Sequence, residues 1–173
     1  MNATLAAWNT AGETEALEAL LACCGSKQWA AAMVERRYIA SAAELGRVAD
    51  RVWSTMQESD WLEAFACHPR IGERKPARVA AHASEQSAAW SRQEQSSASD
   101  ANENVLAELA EGNQLYEQRF GFTYIVCATG KSAAEMLTIL QRRLASDRET
   151  ELREAAEQQR QIMQIRLRKW LAE

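Results

Sequence analysis

Apolar residues return every three or four positions along most of this chain, the spacing of one face of an α-helix. From Glu13 to Cys24 the face is marked by Leu17, Leu20 and Leu21, with Gly25 positioned to cap its end. Ser26 opens a second helix through Trp29, Met33 and Val34. Ser41-Ala-Ala-Glu44 has the spacing of a capping box and starts a third, with Leu45, Val48, Ala49, Val52 and Trp53 on one side. A shorter helix begins near Ser59 and runs through Trp61, Leu62 and Phe65. "SEQSAAWSRQEQSSAS" reads as a more polar helix, and Asn102 to Arg119 as another. Ser132-Ala-Ala-Glu135 caps the next, and Ser146-Asp-Arg-Glu149 opens a long final helix reaching Trp170. No repeat, low-complexity linker or domain boundary is visible. The pattern predicts an all-α, single-domain multihelical bundle over residues 1–173, with at least seven helices and no sheet.

Two stretches break the pattern. "CHPRIGER", residues 67–74, cannot continue a helix, because Pro69 pushes His68 towards extended backbone and Gly72 permits a turn. The His68 backbone is thereby stiffened while its imidazole stays free to point elsewhere. "FGFTYIVCATGKS", residues 120–132, is apolar and β-branched, but no second strand is available to pair with it. A short extended segment near 120–128 is either a buried connector or, since its N–H and C=O groups need partners, an edge that binds a polar ligand. Gly130-Lys131-Ser132 lacks the upstream glycines of a phosphate loop.

Two polar features sit oddly. The stripe of the last helix passes through Leu152, Ala155, Ala156, Gln159, Ile162 and Met163 and then meets Arg166. That guanidinium either snorkels to the surface or forms a fork aimed at a carboxylate or planar amide. Ser91-Arg-Gln-Glu94-Gln95 is a capping box, a solvated face, or part of a site.

Composition narrows the function classes. The 173 residues suit one domain, and 47% hydrophobic content with only seven glycines and two prolines favours helices. A net charge of -4 gives no footprint for nucleic acid. No apolar run approaches a membrane span and the N-terminus lacks a signal-peptide pattern, so a cytoplasmic protein is expected. The four cysteines (Cys23, Cys24, Cys67 and Cys127) form no CxxC pair and read as reduced apolar residues. Cys67 beside His68 lacks zinc-ligand spacing, so no metal is expected.

"FACHPRIGER", "SRQEQ", "FGFTYIVCA" and "IMQIRL", in this order and spacing, resemble the 2-oxo-4-hydroxy-4-carboxy-5-ureidoimidazoline (OHCU) decarboxylases of uric acid breakdown. The resemblance covers nearly the whole chain, from "LLACCGSKQWAAAM" onward, and HPRIG is its most specific part. Three departures stand out: Tyr38 where many members have proline, Thr129 where arginine is frequent, and a longer segment between Gly72 and Ser91.

The resemblance implies an all-α homodimer that needs no cofactor and converts OHCU to (S)-allantoin. His68 matches the catalytic histidine and Glu94 the essential carboxylate. Pro69, the stretch Ser91, Arg92, Gln93, Glu94 and Gln95, the backbone of Tyr124, Ile125, Val126, Cys127 and Ala128, and Arg166 match substrate-binding positions. His68, Glu94 and Arg166 are then expected to converge on one pocket. His68 would donate a proton, while Glu94 would orient and charge it or draw the proton from the substrate hydroxyl. Two other classes compete. A non-enzymatic helical interaction module would close its core around His68 without a polar cavity. A hydrolase of cyclic ureides would need a water-activating group, and the usual zinc ligands are missing.

Overall fold

The computed structural model describes residues 2–73, 84–99 and 101–173. Among them are ten helices and no strand. They are α1 (Ala3–Thr10), α2 (Glu13–Leu21), α3 (Lys27–Val34), α4 (Ala42–Ser54), α5 (Glu58–Ala66), α6 (Glu85–Glu94), α7 (Ser96–Ser99), α8 (Glu103–Phe120), α9 (Ala133–Arg143) and α10 (Arg148–Trp170). The all-α expectation holds, and residues 123–128 carry the predicted break as backbone without regular structure. The segment noted as long, between Gly72 and Ser91, lies largely outside the described residues.

Several helix ends differ from the sequence reading. α1 had no predicted counterpart: three of its eight residues are alanine, buried Leu5 and Trp8 anchor it, and the Asn2 side chain caps it on the Leu5 N–H. α2 stops at Leu21, with Ala22 as a right-handed cap, so Gly25 does not end it. Ser41 caps α4, but the Glu44 carboxylate accepts from the Ala40 N–H rather than closing the box on Ser41. The Ser132–Glu135 box of α9 is complete. At α10 the cap is Asp147, not Ser146: its carboxylate accepts from the Thr150 N–H (2.9 Å) and hydroxyl (2.7 Å). Aspartate wins there because both oxygens find donors and its charge faces the positive end of the helix. Those donors hold the Asp147 carboxyl below its ordinary range.

The chain forms two compact units, Met1–Ala64 with Arg160–Glu173, and Phe65–Gln159. In the first, α3 lies against α2 and α4 around buried Leu20, Trp29, Met33, Leu45 and Ala49. Trp8 meets Trp170 edge to face. Cys23 and Cys24 are buried as reduced thiols, and burial pushes the pKa of the Cys23 thiol upward.

In the second unit α8 packs on α9 at Gly112, where an added Cβ would lie only 2.6 Å from Leu140 Cδ2. The close approach therefore needs glycine. Phe65, Tyr116, Phe120, Phe122 and Tyr124 stack into an aromatic cluster beneath the irregular segment. The stripe forecast for α10 is buried throughout its apolar positions, with Gln159 and Arg166 buried among them.

Candidate active site

His68 leaves the end of α5 with its N–H donating to the Phe65 carbonyl (3.1 Å), and the chain then turns through Pro69 to Glu73. Gly72 has φ +82, a left-handed conformation that favours glycine, and a Cβ there would meet Leu109 at 3.3 Å. The turn is clamped from α8. Arg70 makes a two-pronged contact with Glu117 (Nε–Oε1 2.9 Å, Nη2–Oε2 2.7 Å), and Asn113 Nδ2 donates to the Ile71 carbonyl (2.9 Å). The Glu117 carboxylate raises the Arg70 pKa further. From the C-cap of α6, Gln95 Oε1 accepts the Gly72 N–H (3.3 Å). The HPRIG sequence thus builds a held turn, and its arginine serves the hold.

The imidazole of His68 is half-buried, and its Nε2 lies 2.8 Å from Gln159 Oε1 on α10. Gln159 has no solvent exposure, and its Nε2 has no hydrogen-bond partner among the described residues. An unsatisfied buried donor costs roughly 1–3 kcal/mol. The sequence pattern places Gln159 in the stripe and gives it no role of its own. The available signal was a polar residue on an apolar face, the same signal that singled out Arg166.

Ser91 does not cap a helix; it lies inside α6, buried, with Glu94 half-buried one turn later. Arg92 and Gln93 are exposed, and Pro69 and Gln95 are half-buried.

The Tyr124–Ala128 segment is buried, and side chains engage several of its backbone groups. Arg143 Nη1 donates to the Ile125 carbonyl (2.6 Å), Gln158 Oε1 accepts from the Cys127 N–H (2.9 Å), and Lys131 Nζ donates to the Cys127 carbonyl (2.8 Å). Arg143 also pairs with Glu151, whose carboxylate takes the Tyr116 hydroxyl. Its guanidinium lies over the Tyr116 and Tyr124 rings. Burial works against the Arg143 charge most strongly of any single cause, but the Glu151 hydrogen bond and the attraction of the neighbouring groups together outweigh it and the pKa is raised. Burial pushes the Tyr116 and Tyr124 phenols up, so both are neutral donors.

His68, Ser91, Glu94, Gln95, Tyr124–Ala128, Gln158 and Gln159 belong to the second unit, and Arg166 to the first. Arg166 does not snorkel: it is 2% exposed, and Nη1 reaches the Ala22 carbonyl at 3.4 Å. Among the described residues no three His, Cys, Asp or Glu side chains gather as metal ligands.

His68 is thus carried on a held turn with the Gln159 amide as a partner, in an all-α frame. The family follows from comparison: residues 9–168 match the OHCU decarboxylase family model, and the chain belongs to that family of carboxy-lyases. It is 35% identical over 148 residues to the uric acid degradation bifunctional protein TTL of Arabidopsis thaliana. That match takes in 85% of this chain but 44% of the relative, so the chain spans less than half of that bifunctional protein. A solved OHCU decarboxylase, crystallised in the presence of (S)-allantoin, superposes with a TM-score of 0.74 at 34% identity, covering 88% of this chain and 96% of that one. A crystal structure of (S)-allantoin synthase shares the fold, with a TM-score of 0.70 at 17% identity over 96% of this chain and 53% of that one.

Proposed function

We propose that this protein decarboxylates OHCU to (S)-allantoin with stereospecific protonation, and that residues 1–173 act as one catalytic domain. The observation that carries the reading is His68, held by the HPRIG turn and hydrogen-bonded at Nε2 by a buried amide, in a chain matched to the OHCU decarboxylase family over residues 9–168. Decarboxylation needs somewhere to put an electron pair, a task pyridoxal phosphate or thiamine performs elsewhere. The substrate carries its own sink. As the bond to CO2 breaks, its electrons form a double bond to the neighbouring ureido-bearing carbon, and the ring imine pair moves onto nitrogen, which takes a proton. The hydroxyl then loses its proton as a carbonyl forms, and the ureido-bearing carbon accepts one. Delivery from a single face sets the configuration.

In this account His68 donates the proton to carbon, since imidazole titrates near neutral pH. Glu94 orients and charges His68 or takes the hydroxyl proton. Pro69 shapes the turn that carries His68, and Ser91, Arg92, Gln93, Gln95 and the Tyr124–Ala128 backbone bind the ureido and ring amides. Arg166, a buried guanidinium, holds a carbonyl or carboxylate with two parallel hydrogen bonds. A cytoplasmic homodimer is part of the proposal, on the family resemblance; no helix among the described residues is long and apolar enough to cross a membrane. Substrate generated in situ from urate tests the reading. Allantoin formation, followed by carbon NMR, should accelerate in proportion to added protein, and a rate independent of protein would end it.

A further inference from the structure

The stripe of α10 runs through Ala155 and Ala156 to Ile162 and Met163, and Gln159 falls between them with no solvent exposure. An apolar side chain would fill that position without burying an amide. The adjacent Gln158 uses both ends of its amide, accepting from the Cys127 N–H and donating to Glu154 (3.1 Å). Gln159 does not: its Nε2 lacks a partner among the described residues, and its Oε1 lies 2.8 Å from His68 Nε2. The bond to His68 is what accounts for an amide there. With the amide oxygen turned to the ring, as it is placed here, the hydrogen between the two belongs to the imidazole, because a carbonyl oxygen cannot donate.

We propose that Gln159 is a positioning residue that holds the His68 ring with its proton on Nε2, so that Nδ1 is the nitrogen through which His68 exchanges protons with the substrate. The neutral ring then has one tautomer and one orientation, and its accepting nitrogen is assigned before substrate arrives. This rests on the reading of His68 as the proton-transfer group, and the experiment separates the two.

Ring nitrogens of ¹⁵N-histidine-labelled protein, recorded well above neutral pH, report the tautomer of His68 without any turnover. The wild-type ring should carry its proton on Nε2 and none on Nδ1. Gln159→Leu, which removes a buried polar group and should fold, should give a tautomer mixture and lower kcat roughly tenfold, the worth of one ordinary hydrogen bond, with KM nearly unchanged. Gln159→Glu retains an acceptor oxygen and should restore both the Nε2–H tautomer and most of kcat. A bare Nε2 in the wild-type protein overturns the proposal, as does an unchanged tautomer or an unchanged kcat in Gln159→Leu. His68→Ala is measured alongside: if it keeps the wild-type rate, the functional reading has failed, while the ring spectra still decide whether Gln159 locks the tautomer.

Discussion

Arg143 and Glu151 form a buried ion pair, 3% and 1% exposed, and from it Arg143 reaches the Ile125 carbonyl in the irregular segment. Removing either partner strands the other charge in a site that water does not reach. Arg143→Met leaves the Glu151 carboxylate with the Tyr116 hydroxyl and deprives the Ile125 carbonyl of its donor. Breaking a buried pair from one side costs about 3–5 kcal/mol. Against a typical total of about 5–15 kcal/mol, that is a large share of the fold's stability. With a urea slope of about 1–3 kcal/mol/M, the unfolding midpoint should fall by roughly 1–5 M. Replacing both residues, as Arg143→Met with Glu151→Met, removes both charges and leaves only the Ile125 carbonyl and Tyr116 hydroxyl short of a partner. Its cost should be about 2–6 kcal/mol, below the roughly 6–10 kcal/mol sum of the two single variants. Urea titration of the four proteins gives the coupling directly. Single-variant costs that add within about 0.5 kcal/mol would show two independent residues and refute the idea of a pair that anchors the segment.

Further outcomes follow from other contacts. Arg166→Lys keeps the charge but loses the planar fork, so binding of allantoin, the expected product, should weaken about ten- to hundred-fold by calorimetry; equal affinities would remove Arg166 from the site. Gly72→Ala places a side chain at φ +82 and within 3.3 Å of Leu109. It should cost about 1–2 kcal/mol in urea unfolding, and an unchanged midpoint would mean the turn is not held. The Asp147 carboxyl is lowered by the Thr150 N–H. Its contribution is therefore present above the ordinary aspartate range near ~4 and lost as pH falls through the depressed value. Asp147→Asn should flatten that acid limb in thermal melts, and an identical limb would remove the cap from the explanation.

Much of this was legible in the chain, for physical reasons that also explain the misses. The α10 stripe was readable because a 23-residue helix repeats its apolar face enough times for the period to stand out; Arg166 was conspicuous against it, whereas Gln159 drew no role. α1 was not, because alanines give little contrast and only Leu5 and Trp8 mark its buried side. The break at Pro69 and Gly72 was plain, but the Arg70–Glu117 clamp and the Asn113–Ile71 bond were not. Their partners lie more than forty positions away in sequence, and nothing local selects Glu117 over the other carboxylates of α8. The 120–128 segment was recognised as needing backbone partners, but local pattern could not say that Arg143, Gln158 and Lys131 would supply several of them. Ser91 looked like a possible cap because its spacing to Glu94 fits one, yet Ser84 starts that helix seven positions earlier.

Stereochemistry tests the central claim most directly, because the uncatalysed route from OHCU gives racemic allantoin. Substrate generated in situ from urate is followed by circular dichroism with wild-type protein and with His68→Ala, whose fold is checked by its own melting curve. The account predicts rapid growth of an (S)-allantoin signal with the wild-type protein. With His68→Ala it predicts a slow reaction whose product shows no optical activity. An (S) signal growing at the wild-type rate in His68→Ala would contradict the assignment of His68 as the proton donor.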